Sequence, residues 1–312
     1  MQTVSPHVAS WPLMRTEHVV PMPTLHAAVT PIGALRLTIV PTTTGLPLLG
    51  IAMHFSIQQW IPMRQCRLMI SHLPDNLLRL YECEEFLRQK ALELVAADKR
   101  LQLHLHILEV AMDLADTLRQ LPNDDEDFKV IKLMGMRMFN ALAASLKLAL
   151  SGYSQNSALI MRDVLETVFL MDFFGHERAA LARWRLADRK GRMRDFSPIR
   201  IREALDARDG HVKKKRAEMY KMFCELAAHP TMQSAQMMRP TKGGNAVIGP
   251  FVETTSLDAV LSELGRLAVQ VGEALGVFVP PDFNEGNGVL DRFASAKGAW
   301  LLEFYPKPAA AG

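Results

Sequence analysis

Cysteine is scarce in this chain, and every motif built on it is missing. Cys66, Cys83 and Cys224 are odd in number and far apart. That spacing offers neither a disulfide framework nor a CxxC metal pair, so no metal site is expected and a reducing cytoplasm is the default compartment. Acidic residues are almost absent from the first quarter. Residues 1–74 hold a single acid, Glu17, against Arg15, Arg36, Arg64 and Arg67, yet they carry nine of the eighteen prolines and five of the ten histidines. Proline breaks helices and few charges are left to solvate an outer face, which excludes an amphipathic helix there. A targeting segment is the competing expectation, although no basic start runs directly into an apolar core and a small-residue cleavage site. The most apolar stretch, 45–53, is too short to span a bilayer and is interrupted by Pro47 and bounded by His54. Residues 1–74 are therefore expected to be a poorly ordered extension, or to precede the native start at a methionine such as Met63 or Met69, with weak extended pairing around 35–40 as the one structured option.

The signatures of common chemistries are also missing: the sequence contains no HExxH, no Glu-x-x-His pair, no GxGxxG, no GxxxxGK[ST] and no GxSxG. No cofactor is implied.

What is present is helix. The 312 residues are 49% apolar and 22% charged, enough to build a sizeable core. From Asn76, apolar residues recur at helical spacing through Leu118, with a break in between, and the run stops at Pro122 before an acidic turn. A second run covers about 128–152. A third, 156–174, is expected to be capped by Ser154 or Ser157 and closed by Gly175. Shorter helices are expected over 178–190, 198–207 and 212–228, the second opened by Ser197 and Pro198. Residues 231–255 lack helical period and should form a long loop with one short hairpin, after which Ser256 caps a helix to about 275. Pro280 and Pro281 close it. The expected fold is all-α, a bundle of six to eight helices over 75–278, with a tail at 279–312 docked by Trp300, Leu301, Phe304 and Tyr305.

Charge is segregated along this frame. Residues 75–127 carry thirteen acids against six bases, a local charge of −7, and residues 183–216 carry thirteen bases against five acids, a local charge of +8. The basic stretch, with Arg183, Arg185, Arg189, Lys190, Arg192, Arg194, Lys213, Lys214, Lys215 and Arg216, interleaves Trp184 and Phe196. Cations that displace counterions and aromatic faces that stack on bases would let it hold RNA or another polyanion. The competing expectation is a solvated face neutralised by the acidic helices of the same molecule.

Two further features stand out. The 156–174 helix is apolar almost all round, which marks a central helix, yet Arg162, Asp163 and Glu166 interrupt it. Arg162 and Glu166 share a face and can pair with a third polar group, either as a structural network or as a cleft. The segment 220–230, YKMFCELAAHP, offers Tyr220 and a His229 that ends the helix before Pro230. His229 is a C-cap or a general base. His104 and His106 are two apart on a helix and point to different sides.

The order RDVLETVFLMDFF, FSPIRIREAL, YKMFCELAAHP over residues 137–240 resembles a group of bacterial helical proteins similar to HEPN domains. The resemblance implies an all-helical fold, frequent dimers, and an Arg and Glu on a central helix combined with a later Tyr and a His-Pro helix end. It also implies ribonucleases of toxin and phage-defence systems, which use Arg, four to six residues, then His. That nuclease motif is missing here at the expected place. Arg100 and His106 match it by spacing, without the polar residue usual after the Arg. Three functions follow as expectations: a cytoplasmic RNA or polyanion binder, monomer or homodimer, that does not engage a membrane; an interaction protein with a structural polar core; and a ribonuclease with His229 or His106 as general base. The candidate catalytic set is Arg162, Glu166, Tyr220 and His229.

Overall fold

The computed structural model describes residues 74–306 except 124, 212, 213 and 242. The expectations for residues 1–73, and for Lys213, lie outside the described residues. All regular structure among the described residues is helical.

Six long helices make the frame: α1 (Asp75–Ala97), α2 (Lys99–Gln120), α3 (Glu126–Leu150), α4 (Ser154–His176), α10 (Thr254–Gly276) and α12 (Val289–Phe304). Short helices link them: α5 (Arg178–Leu186), α6 (Arg189–Asp195), α7 (Pro198–Arg208), α8 (Lys215–Phe223), α9 (Met232–Gln236) and α11 (Pro281–Asn287). The break expected before residue 103 is Asp98, whose side chain accepts from the Arg100 amide at 2.8 Å and so caps α2. Asp125 caps α3 the same way, 2.9 Å from the Phe128 amide.

The core lies where α2, α3, α4 and α10 meet. Leu114, Leu118, Met138, Leu142, Val164, Leu165, Val271 and Leu275 are all sealed from solvent there, each contributing about 1.5–3 kcal/mol by burial. α3 is apolar and long enough to cross a bilayer, but Ile131, Met134, Met138 and Leu142 spend that apolarity on this core. α3 and α4 approach closely because small residues face each other. Ser145 Oγ lies 2.8 Å from Ser157 Oγ, and each hydroxyl reaches the other's carbonyl at 2.9–3.0 Å.

Several local expectations are corrected. Neither serine caps α4: Ser154 and Ser157 are both buried, and Tyr153 stands at the cap without a side-chain bond. α10 starts at Thr254, where the Glu253 carboxylate accepts from the Ser256 amide at 2.8 Å, so Ser256 is the capped residue and not the cap. No hairpin forms among the described residues between 231 and 255. A capping box on Thr231 and Ser234 starts α9, and the two arms of the loop meet through one bond, Val247 N–H to Met238 O at 3.0 Å. The loop returns to the α3–α4 turn, where Gly152, at φ +88°, leaves only 2.7 Å between a hypothetical Cβ and the Phe251 backbone.

The expected tail is mostly helix α12. Trp300 and Phe304 do dock, whereas Leu301 and Tyr305 remain well exposed. Trp300 Nε1–H donates to His104 Nδ1 at 2.9 Å, and the His104 ring stacks on Phe304 at 4.2 Å. Burial first, then Arg100 and Arg266, pushes the His104 imidazole down to about 4. α12 also crosses α10 at Gly272, where any Cβ would fall 2.0 Å from the Phe293 ring.

Candidate functional site

The structure brings Arg162, Glu166 and Tyr220 together and leaves His229 apart. On α4, Arg162 Nη2 donates to Glu166 Oε1 at 3.1 Å and also to the Tyr220 hydroxyl of α8. Both α4 side chains are about two-thirds covered. Burial works against the Arg162 charge, but Tyr220, Cys224 and Glu166 outweigh it and hold the guanidinium above its ordinary range. Burial and the nearby Glu166 push the Tyr220 phenol up. The triad thus keeps a charged Arg and a protonated Tyr at neutral pH.

The segment after Tyr220 departs from the helix expected over 212–228. α8 begins only at Lys215, behind Lys214 in a left-handed conformation (φ +45°), and Cys224–Ala228 winds as a π-helix. The wider turn keeps Cys224 buried and within hydrogen-bonding reach of Arg162. His229 follows in extended geometry, as its position before Pro230 dictates. It is exposed, and its ring makes no hydrogen bond among the described residues.

One functional residue escaped sequence reasoning. Arg202 of α7 is only 8% exposed and also stacks on Tyr220, its guanidinium carbon 4.2 Å from the centre of the ring against 4.8 Å for that of Arg162. Its Nη1 is shielded from solvent and meets no acceptor among the described residues. Such an N–H costs roughly 1–3 kcal/mol until it is satisfied. The only sequence signal was Arg202 lying one residue from the core position Ile201 in a run otherwise read as solvated charge.

Arg202 lines a groove of about 420 Å³ between α3, α4, α5 and α7. Val130, Leu133, Leu170, Trp184, Phe196 and Ile201 form apolar walls; Glu166, Asp163 and Arg137 supply the polar groups. Arg137 and Asp163 pair across the α3–α4 edge. The volume falls inside the range of about 300–1,000 Å³ usual for ligand sites.

A second cavity, about 530 Å³, opens on the other side of α4 between α7, α8 and α10. Its two arginines are consumed, although Lys215 also lines it. Arg216 holds Asp206 at 2.8 Å and also Asp209, and Arg208 holds Asp172 at 2.8 Å and Asp209 at 2.6 Å. The Arg208 and Arg216 guanidiniums hold the Asp209 carboxyl well below the usual carboxylate range.

The basic segment therefore does not act as one surface. Arg183 pairs with Glu177, Arg185 with Asp127 at 2.6 Å, and Arg194 with Asp195 at 2.7 Å, while Arg192 lies over Trp184 at 5.1 Å. Only the Arg185 pair reaches the acidic region 75–127. Neutralisation comes chiefly from Glu177, Asp195, Asp206 and Asp209, within ten residues of their cations, and from Asp172 of α4, and not from the acidic helices. Arg189, Lys190 and Arg200 stay exposed and form no ion pair among the described residues, along α6 and the start of α7, with Arg200 acting only at longer range on Asp195. Lys214 and Lys215 are exposed at the α7–α8 turn.

The nuclease spacing gains no support from its surroundings. His106 faces solvent beside Glu109, and Arg100 lies under Phe304 near Glu303. No group of three or more His, Cys, Asp or Glu side chains among the described residues is placed to hold a metal ion. No family model, curated protein or solved structure matches the chain.

Proposed function

We propose that this chain is a binding protein for single-stranded RNA or a similar polyanion, held along the ridge of α6 and the start of α7. The observation that carries this reading is the division of the basic segment: Arg183, Arg185, Arg208 and Arg216 are ion-paired with carboxylates, yet Arg189, Lys190 and Arg200 form no ion pair among the described residues, and the same stretch of chain supplies Trp184 and Phe196 to the wall of the groove. Unmatched cations release counterions when they meet phosphates, and aromatic walls stack on the faces of bases. Purified protein should carry nucleic acid, visible as excess absorbance at 260 nm, that washes off as salt rises. Protein free of nucleic acid at low salt, and inert to added single-stranded RNA, would refute the reading.

A second reading, an interaction protein, is favoured by a separate observation. Met193 and Ile199 on the same ridge, and Leu186 at the end of α5, are each at least 60% exposed, and a polyanion has no use for them. A protein surface or a second copy of the chain would bury them. Light scattering after size exclusion separates the two: a stable dimer lost on Ile199→Asp, with no RNA binding, supports the second.

A further inference from the structure

We propose that the groove between α3, α4, α5 and α7 is a nucleobase pocket that selects guanine. That the base belongs to an RNA strand rests on the ridge reading above; that the groove takes a base does not. Charge decides the class of occupant. The ionisable groups that line the groove are Arg137, Arg202, Asp163 and Glu166, two of each sign. A free carboxylate or an ammonium would meet a like charge as readily as an opposite one, whereas a neutral heterocycle with both donors and acceptors on its edge suits such a lining. The walls agree, since Trp184 and Phe196 offer faces for a planar ring and Leu133, Leu170 and Val130 complete an apolar slot.

Edge chemistry then picks the base. Arg202 has a buried N–H with no acceptor, and Glu166 shares one of its oxygens with Arg162. Guanine presents two adjacent acceptors, O6 and N7, of the kind arginine recognises, and two adjacent donors, N1–H and N2–H, that a carboxylate accepts. Adenine pairs an acceptor with a donor at N7 and N6, and cytosine and uracil lack the two adjacent donors that a carboxylate accepts. Tyr220 lies against both the Arg162 and the Arg202 guanidiniums and accepts from Arg162, while Arg162 also holds Glu166. Tyr220 is a positioning residue.

The test is calorimetric titration of the full chain with the four ribonucleoside 5′-monophosphates, which share one phosphate and so isolate the base. GMP should bind about tenfold or more tightly than AMP, CMP or UMP, and should quench a tryptophan emission that Trp184→Phe removes. Arg202→Met should abolish the preference. Leu133→Trp, at a rim position already 61% exposed, should block the slot without touching the fold. GMP binding without RNA binding would leave the pocket standing and remove the ridge. Four equal affinities, no heat at millimolar GMP, or binding that survives both substitutions would overturn the pocket, and RNA binding without base preference would then leave the ridge alone.

Discussion

Two cavities flank α4, and they treat arginine in opposite ways. In the one against α8 and α10, Arg208 and Arg216 meet Asp172, Asp206 and Asp209, and every guanidinium is saturated. In the one against α3 and α7, Arg202 stacks on Tyr220 and keeps an N–H without an acceptor. Both sets come from the same run of basic residues. A count of cations along the chain therefore says little about which are available; the carboxylates nearby in space decide that.

The contrast is sharpest in stability. Arg216→Met removes the cation that three aspartates share, and like-charge repulsion in a half-covered site should cost about 3–5 kcal/mol in chemical denaturation. Arg202→Met removes an unsatisfied donor and keeps its volume, so the cost should stay below about 1 kcal/mol. Equal losses would erase the distinction between the cavities. Arg162→Ala falls between: it strips Glu166 and Tyr220 of their shared partner and should cost on the order of 3 kcal/mol, whereas an unchanged melting temperature would deny the triad any structural role.

Acid should also separate regions of the molecule. A histidine held below its unfolded value near 6.5 binds fewer protons folded than unfolded. Its stabilising effect is therefore complete above about pH 6.5 and is lost as pH falls towards 4, where the buried His104 titrates. Melting temperature should decline over that window, by an amount equivalent to roughly 3 kcal/mol, and the decline should flatten in His104→Gln. The Asp209 carboxyl is likewise depressed, by Arg208 first, so its contribution is present above the usual carboxylate range and is lost only in stronger acid. A slope that persists in His104→Gln between pH 6.5 and 4 would place the sensor elsewhere. The smallest effect belongs to the ridge, where Arg189→Ala or Lys190→Ala should change stability by less than about 0.5 kcal/mol.

The helical frame was legible in the sequence because its cause is local: apolar period, Pro122, Ser197-Pro198 and Pro280-Pro281 each act within a few residues. Arg162, Glu166 and Tyr220 were legible for a related reason, since charges interrupting an apolar helix demand a partner. What failed was whatever depends on residues distant in sequence. Ser157 reads as a cap until Ser145 is opposite it, Arg202 reads as surface until Tyr220 covers it, and the π-turn at Cys224–Ala228 leaves no periodic trace in five residues.

The central claim, that unpaired ridge cations hold a nucleic acid, is tested most directly by fluorescence anisotropy of a short single-stranded RNA across salt concentration. The account predicts that log affinity falls linearly with log salt, and that Arg189→Ala, Lys190→Ala and Arg200→Ala combined reduce the slope by about 2, near 0.7 for each lost phosphate contact. An unchanged slope in that triple variant, or no binding even at low salt, would contradict it.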